Sequence, residues 1–73
     1  MGSNLYTKEH KDIIEKLKKA RLETGLDQIA VAKKIGKTQS YISKIESGQR
    51  KVEVLQLKKF AKIYNKDINY FIK

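Results

Sequence analysis

Between Lys8 and Thr24 the apolar side chains fall at Ile13, Leu17 and Ala20, with Ile14 beside the first of them, and mostly Lys and Glu fill the positions between. That spacing predicts an amphipathic helix over Lys8–Thr24, stopped by Gly25. The next segment, QIAVAKKI, has Ile29, Val31, Ala32 and Ile35 as its apolar set. Asp27 before it can accept from the free N–H groups of the first turn, and Gly36 after it can end it, so a second helix is predicted over 28–35. Thr38 is a further cap, and Tyr41, Ile42 and Ile45 mark a third helix over Gln39–Glu46 that closes at Gly48. A fourth, Val54–Tyr64, places Val54, Leu57, Phe60, Ala61 and Tyr64 on one stripe. Asn65 is its expected stop, since Asn tolerates a positive φ better than other non-glycine residues. Asp67 then caps a last short helix carrying Ile68, Phe71 and Ile72. With no alternating strand pattern and no repeat, the expectation is an all-α fold, five short helices in one domain over residues 8–73. Residues 1–7 lack any such pattern and are expected to form a flexible terminus; the opening Met-Gly-Ser has the look of a vector remnant.

Composition then removes several classes of function. A chain of 73 residues is small for a self-sufficient core, and such chains commonly lean on disulfides, a metal or a partner chain. There is no Cys, which rules out disulfides and thiolate metal sites, and the only His is His10, near an end expected to fray. No metal and no cofactor is expected. Catalysis would need a base or nucleophile with an orienting partner in a cleft, and neither that nor a Gly-rich phosphate loop can be assembled here, so an enzyme is the weakest reading. No apolar run approaches the ~20 residues of a membrane span and no signal-peptide core is present, so the expected location is the cytoplasm, with no membrane partner.

Charge adds a partner. Seventeen Lys and Arg against eight Asp and Glu leave a formal charge of +9, which attracts a polyanion: nucleic acid, an anionic membrane surface or an acidic protein. A solubilising lysine-rich surface would have the same composition. The distribution favours nucleic acid. Between residues 33 and 51 stand Lys33, Lys34, Lys37, Lys44, Arg50 and Lys51, with Glu46 the sole acid.

Two short helices joined by Gly36-Lys37-Thr38 form a helix-turn-helix pattern. The second of the pair packs through Ile42 and Ile45, so its N-terminal end and opposite face point outward, as in a helix laid in the major groove of duplex DNA. Gln39 can donate to adenine N7 and accept from N6 together, Ser40 can do either, and Lys44 can reach guanine O6 or N7 or a phosphate. The Tyr41 ring can lie on a thymine methyl, pack against the backbone or form the edge of the core. Gln28, opening the second helix, is placed to touch the DNA backbone on one side of the groove, and Ser47, Gln49, Arg50 and Lys51 in the following loop on the other, with Thr38 joining them beside its cap role. Each has a duller reading as a solvated surface residue; what raises the functional one is that they coincide on one helix pair. Glu46 lies one turn past Ile42, toward the buried side, where a carboxylate needs a partner; Arg21 is the candidate, unless Glu46 is exposed and unpaired.

From Leu17 to Ile72, about three-quarters of the chain, the sequence resembles the Cro/repressor-like helix-turn-helix family of XRE type. The family pattern R-x-x-x-G-L, Q-x-x-x-A-x-x-x-G and a cap-led helix closing in I-E-x-G is met by RLETGL, QIAVAKKIG and TQSYISKIESG, and LKKFA follows as a later L-x-x-[LF]-A. The resemblance implies a compact five-helix lambda-repressor-like domain that binds operator DNA as a dimer on a two-fold-related site. It implies base reading by Gln39, Ser40 and Lys44, phosphate contact by Gln28 and by the loop Ser47–Lys51, and a buried pair Arg21–Glu46. RKVEVLQL is similar to the R-N-V-x-L-x-x-L of short stand-alone members such as restriction-modification controller proteins, which dimerise through their last helices. Leu55 and Ile63, off the core stripe, with Phe71 and Ile72, are the expected dimer surface. Lys66 stands where the family usually has an apolar residue before the last helix, a departure that bears on the packing there.

The reading is a sequence-specific double-stranded DNA-binding regulator, expected to be a repressor or autoregulator acting as a homodimer. The competing class is an antitoxin or protein-interaction module using the same fold, with a partner protein encoded by a neighbouring gene. RNA binding has no stacking platform or RNA-binding motif to support it.

Overall fold

The computed structural model describes residues 8–72, so the expectation of a flexible segment over residues 1–7 lies outside the described residues. Five helices follow one another: α1 (Lys8–Thr24), α2 (Gln28–Ile35), α3 (Gln39–Glu46), α4 (Val54–Ile63) and α5 (Asn69–Ile72). Helix α3 packs against both α2 and α1, α4 lies on α2, and the short α5 folds back onto α1.

The local stops behave as their chemistry dictates. The Asp27 carboxylate accepts from the Ala30 N–H at 2.8 Å, and the Thr38 hydroxyl from the Tyr41 N–H at 3.1 Å. Gly36 turns into the left-handed region at φ 76°, which lets the N–H of Lys37 return to the Ala32 carbonyl at 2.9 Å. Asn65 takes the same region at φ 57°, and Lys66 N–H closes onto Ala61 O at 2.8 Å. Asp67 accepts from the Asn69 N–H at 2.9 Å at the start of α5. Helix α4 ends one residue earlier than predicted, with Tyr64 as its cap.

The core gathers Ile14 and Leu17 from α1, Val31 and Ile35 from α2, Ile42 and Ile45 from α3, and Leu57 and Phe60 from α4, with Tyr64 and Phe71 beyond it. Phe60 and Tyr64 stack at 5.9 Å between ring centroids, while Tyr70 meets Phe71 edge-on at 5.0 Å. Four expectations need correction. Ile29 is half exposed: at 100° per residue it points roughly 110° away from the middle of the arc set by Val31, Ala32 and Ile35. Val54 shares the α4 stripe in projection but opens the helix, and its side chain is 64% exposed. Phe71 is only 1% exposed, filling the space between α5 and the core, so it is a core residue and no part of a dimer surface. His10, expected at a fraying end, is buried on α1. Lys66 finds a place after all: its ammonium pairs with Glu23 at 3.3 Å and lies over the Tyr70 ring, 4.6 Å from its centre.

Candidate nucleic-acid interface

The turn Gly36–Thr38 sets α3 across α2 with Ile42 and Ile45 inward, each 1% exposed. Apart from half-buried Tyr41 and Glu46, whose carboxylate turns back toward α1, its other side chains point outward. Gln39, Ser40 and Lys44 are all exposed, the first two on the opening turn, where the leading backbone N–H groups of a helix lack intrahelical partners.

Behind this face runs a chain of directed hydrogen bonds. Arg21 forks onto Glu46, with Nε to Oε2 at 2.7 Å and Nη2 to Oε1 at 3.0 Å, and its Nη1 donates to the Leu26 carbonyl at 3.0 Å. The pair ties the end of α1 to the end of α3, and both side chains are at most 10% exposed. The hydrogen bond to Glu46 raises the Arg21 pKa above its ordinary value, against the opposing effect of burial. Tyr64, packed beside the pair, is also raised, chiefly by its burial and then by the charge of Glu46.

Glu46 Oε1 has a second donor, Gln28 Nε2 at 3.0 Å. A carboxylate only accepts, so Gln28 must turn its amide nitrogen inward and its oxygen outward. That oxygen meets Gln39 Nε2 at 3.5 Å, a long contact in the open. Gln39 thus keeps one N–H and its own carbonyl oxygen for another molecule, the donor and acceptor pattern complementary to adenine N7 and N6. Gln28, expected as a backbone contact, is half-buried, and its amide is engaged from both sides within the protein.

The loop after α3 divides its residues differently from the sequence reading. Ser47 spends its hydroxyl proton on the Lys44 carbonyl at 3.1 Å and its N–H on Ser43 O, so it has no donor left for a phosphate in this conformation. The Thr38 hydroxyl accepts its cap bond and keeps its proton to donate. Gln49, Arg50 and Lys51 are exposed. Arg50 places its guanidinium carbon 4.7 Å from the Tyr41 ring centre, and the Lys37 ammonium stands 5.3 Å from it. Tyr41 is half-buried and serves as the platform on which these two cations rest. A pocket of about 300 Å³ opens there, lined by Lys37, Tyr41, Arg50, Lys51, Glu53 and Gln56. Lys37 reads from the sequence only as a charge, and Gln56, set among the apolar residues of α4, carries no sequence signal of its place in this pocket.

The field of this face follows. Glu46, the single acid between residues 33 and 51, is turned inward and matched by Arg21, so Lys33, Lys34, Lys37, Lys44, Arg50 and Lys51 act outward unopposed by a nearby acid in that stretch. Among the described residues no cluster of His, Asp and Glu that could hold a metal is found, and no helix is long and apolar enough to cross a membrane. Leu55 and Ile72 are exposed and Ile63 half-buried.

The family model described as helix-turn-helix matches residues 17–71. Among solved structures the chain is similar to the restriction-modification controller protein C.AhdI from Aeromonas hydrophila, with 25% sequence identity, a TM-score of 0.75, and coverage of 89% of this chain and 99% of that one. No curated protein sequence matches. The family match spans the capped helix pair, its turn and the helices packed on it, and the chain belongs to the XRE-type helix-turn-helix family of DNA-binding transcription regulators.

Proposed function

We propose that the chain is a sequence-specific regulator that acts as a homodimer on a two-fold-related operator, with α3 in the major groove of each half-site. The observation that carries this reading is the chain from Glu46 through Gln28 to Gln39, which orients an exposed amide before any DNA is met. A surface glutamine that served only solubility would have no need of a held neighbour. In this reading Gln39 recognises adenine, Ser40 and Lys44 read or flank the adjoining pairs, and Thr38, Gln49, Arg50 and Lys51 grip phosphates on either side. Gln28 acts mainly by holding Gln39.

One helix in one groove buries too little surface for useful specificity, and two copies with half-sites about 34–36 Å apart, or a multiple of that, overcome the shortfall. Leu55 and Ile72 are exposed apolar residues available to such a pairing. The similarity to a restriction-modification controller protein supports the class of regulator.

Selection from random duplex DNA, followed by sequencing of the bound fraction, tests the proposal. A two-fold-symmetric motif is expected, and Gln39→Ala should lose about 1–3 kcal/mol of discrimination at one position of each half-site. Retention without any motif, falling away with salt, would reject sequence-specific reading.

A further inference from the structure

On the flank of the helix pair, between α2 and α4, lies a groove of about 390 Å³ lined by Lys34, Ile35, Lys59, Lys62 and Ile63. Its floor is apolar, and every charge on its rim is positive. The composition of the two helices makes this inescapable: QIAVAKKI and VLQLKKFAKI contain no acid at all, and their charged residues are Lys33, Lys34, Lys58, Lys59 and Lys62. Of these only Lys33 and Lys34 belong to the basic stretch of the proposed DNA face. Lys59 and Lys62 stand in the second half of α4, which starts at the phosphate-gripping loop and carries them roughly 8–12 Å along its axis from Val54.

We propose that this groove receives an acidic amphipathic segment of another protein, its apolar side chains on Ile35 and Ile63 and its carboxylates on the three lysines. The inference goes beyond the DNA-binding reading and does not depend on it. Charge complementarity selects the occupant. A DNA phosphate would satisfy the lysines but gain nothing from the isoleucines. A second copy set groove to groove would face lysine with lysine. A head-to-tail copy offering Glu9, Asp12, Ile13 and Ile72, which line a small pocket on α1 and α5, would leave its own groove open to a further copy, as a ring or filament rather than a pair. A separate acidic segment meets both the floor and the rim.

The test uses the full chain and a synthetic helical peptide with leucines on one face and glutamates on the other, observed through isoleucine methyl resonances. The peptide is expected to shift Ile35 and Ile63 while leaving Ile42 unmoved, and its affinity should fall on the order of tenfold in the double variant Lys59→Gln/Lys62→Gln. Polyglutamate binding equally well would overturn the proposal, because the apolar floor would then be idle; so would a peptide response confined to the α3 face. Arg50→Gln/Lys51→Gln is the charge-matched control on duplex DNA. If the groove variant weakened DNA binding as much as that control, the groove lysines would be DNA contacts. Self-association that disappears in the groove variant would assign the groove to a second copy. Failure of the chain to bind any DNA would sink the operator reading and leave the peptide result standing.

Discussion

Glu46→Gln is the substitution on which most of this molecule's logic converges. The side chain keeps its shape, but one acceptor oxygen becomes an NH2 donor. In one orientation that donor faces Arg21 Nε–H, which Glu46 Oε2 now meets at 2.7 Å. In the other it faces Arg21 Nη2 and Gln28 Nε2, both at 3.0 Å from Oε1. Either way donor opposes donor, and a guanidinium whose side chain is 10% exposed loses its countercharge. Removing one member of a buried pair costs about 3–5 kcal/mol; the surviving bond from Arg21 Nη1 to the Leu26 carbonyl argues for the lower end, about 3 kcal/mol. A domain of this length has about 4–11 kcal/mol of stability in all, so the loss is a large share of it. Urea unfolding followed by helical circular dichroism should show the midpoint falling by about 2–3 M at unchanged slope, for a slope of roughly 1–1.5 kcal/mol per M. The double replacement Arg21→Leu/Glu46→Leu should recover much of that, since an apolar pair of similar volume is often no worse than a buried ion pair. It should not recover base preference, because Gln28 then has no carboxylate to hold its amide. A midpoint shift equivalent to less than about 1 kcal/mol in Glu46→Gln would refute the claim that this pair fastens α1 to α3. Full base preference in the double variant would refute the claim that Glu46 orients Gln28 and Gln39.

Four further outcomes are expected. Phe71→Ala should cost about 3–5 kcal/mol of stability as a core truncation, whereas Leu55→Asp, at a side chain 70% exposed, should leave unfolding within about 0.5 kcal/mol and weaken self-association measured by sedimentation. Tyr64 keeps its proton in the fold beyond the ordinary tyrosine range, so its contribution is complete below pH about 10 and is lost as pH rises above that, where the unfolded chain alone ionises. Tyr64→Phe should remove up to about 1.4 kcal/mol per pH unit from the alkaline fall in stability, and an unchanged slope would count against the burial of the hydroxyl. Arg50→Ala should weaken binding to all duplexes almost equally and reduce the salt slope by about one unit; a loss confined to one base position would show that the loop reads sequence.

Helix limits could be read from the chain because each depends on groups within four or five residues of one another. Asp27 to Ala30 and Thr38 to Tyr41 are cap bonds of sequence separation 3, and Gly36 and Asn65 reverse the backbone through their own torsional freedom. The basic stretch and the outward start of α3 followed from the same local periodicity. Burial was legible only as far as an arc can be drawn: Ile13 and Ile14 are neighbours on such an arc, and only contact with the other helices made Ile14 the core member. Ile29 and Val54 look apolar enough for the core, yet no element covers them, and Phe71 left the expected dimer surface because α5 folds onto α1.

The site divides along the same line. That Arg21 and Glu46 belong together was suggested by the need of a half-buried carboxylate for a cation, and they meet across 25 residues of sequence. The role of Gln28 was not legible: its bonds reach 18 residues to Glu46 and 11 to Gln39, and their direction follows from a carboxylate that can only accept. Nor could composition tell that Lys37 and Arg50, on opposite sides of α3 in sequence, share the Tyr41 ring, or that lysines of α2 and α4 rim one apolar groove. Residue type and spacing determine which helices form, where they stop and what each face offers. Only the packing of one helix on another decides which offers are taken up inside the protein and which remain for a partner, because those contacts join groups that the chain itself holds far apart.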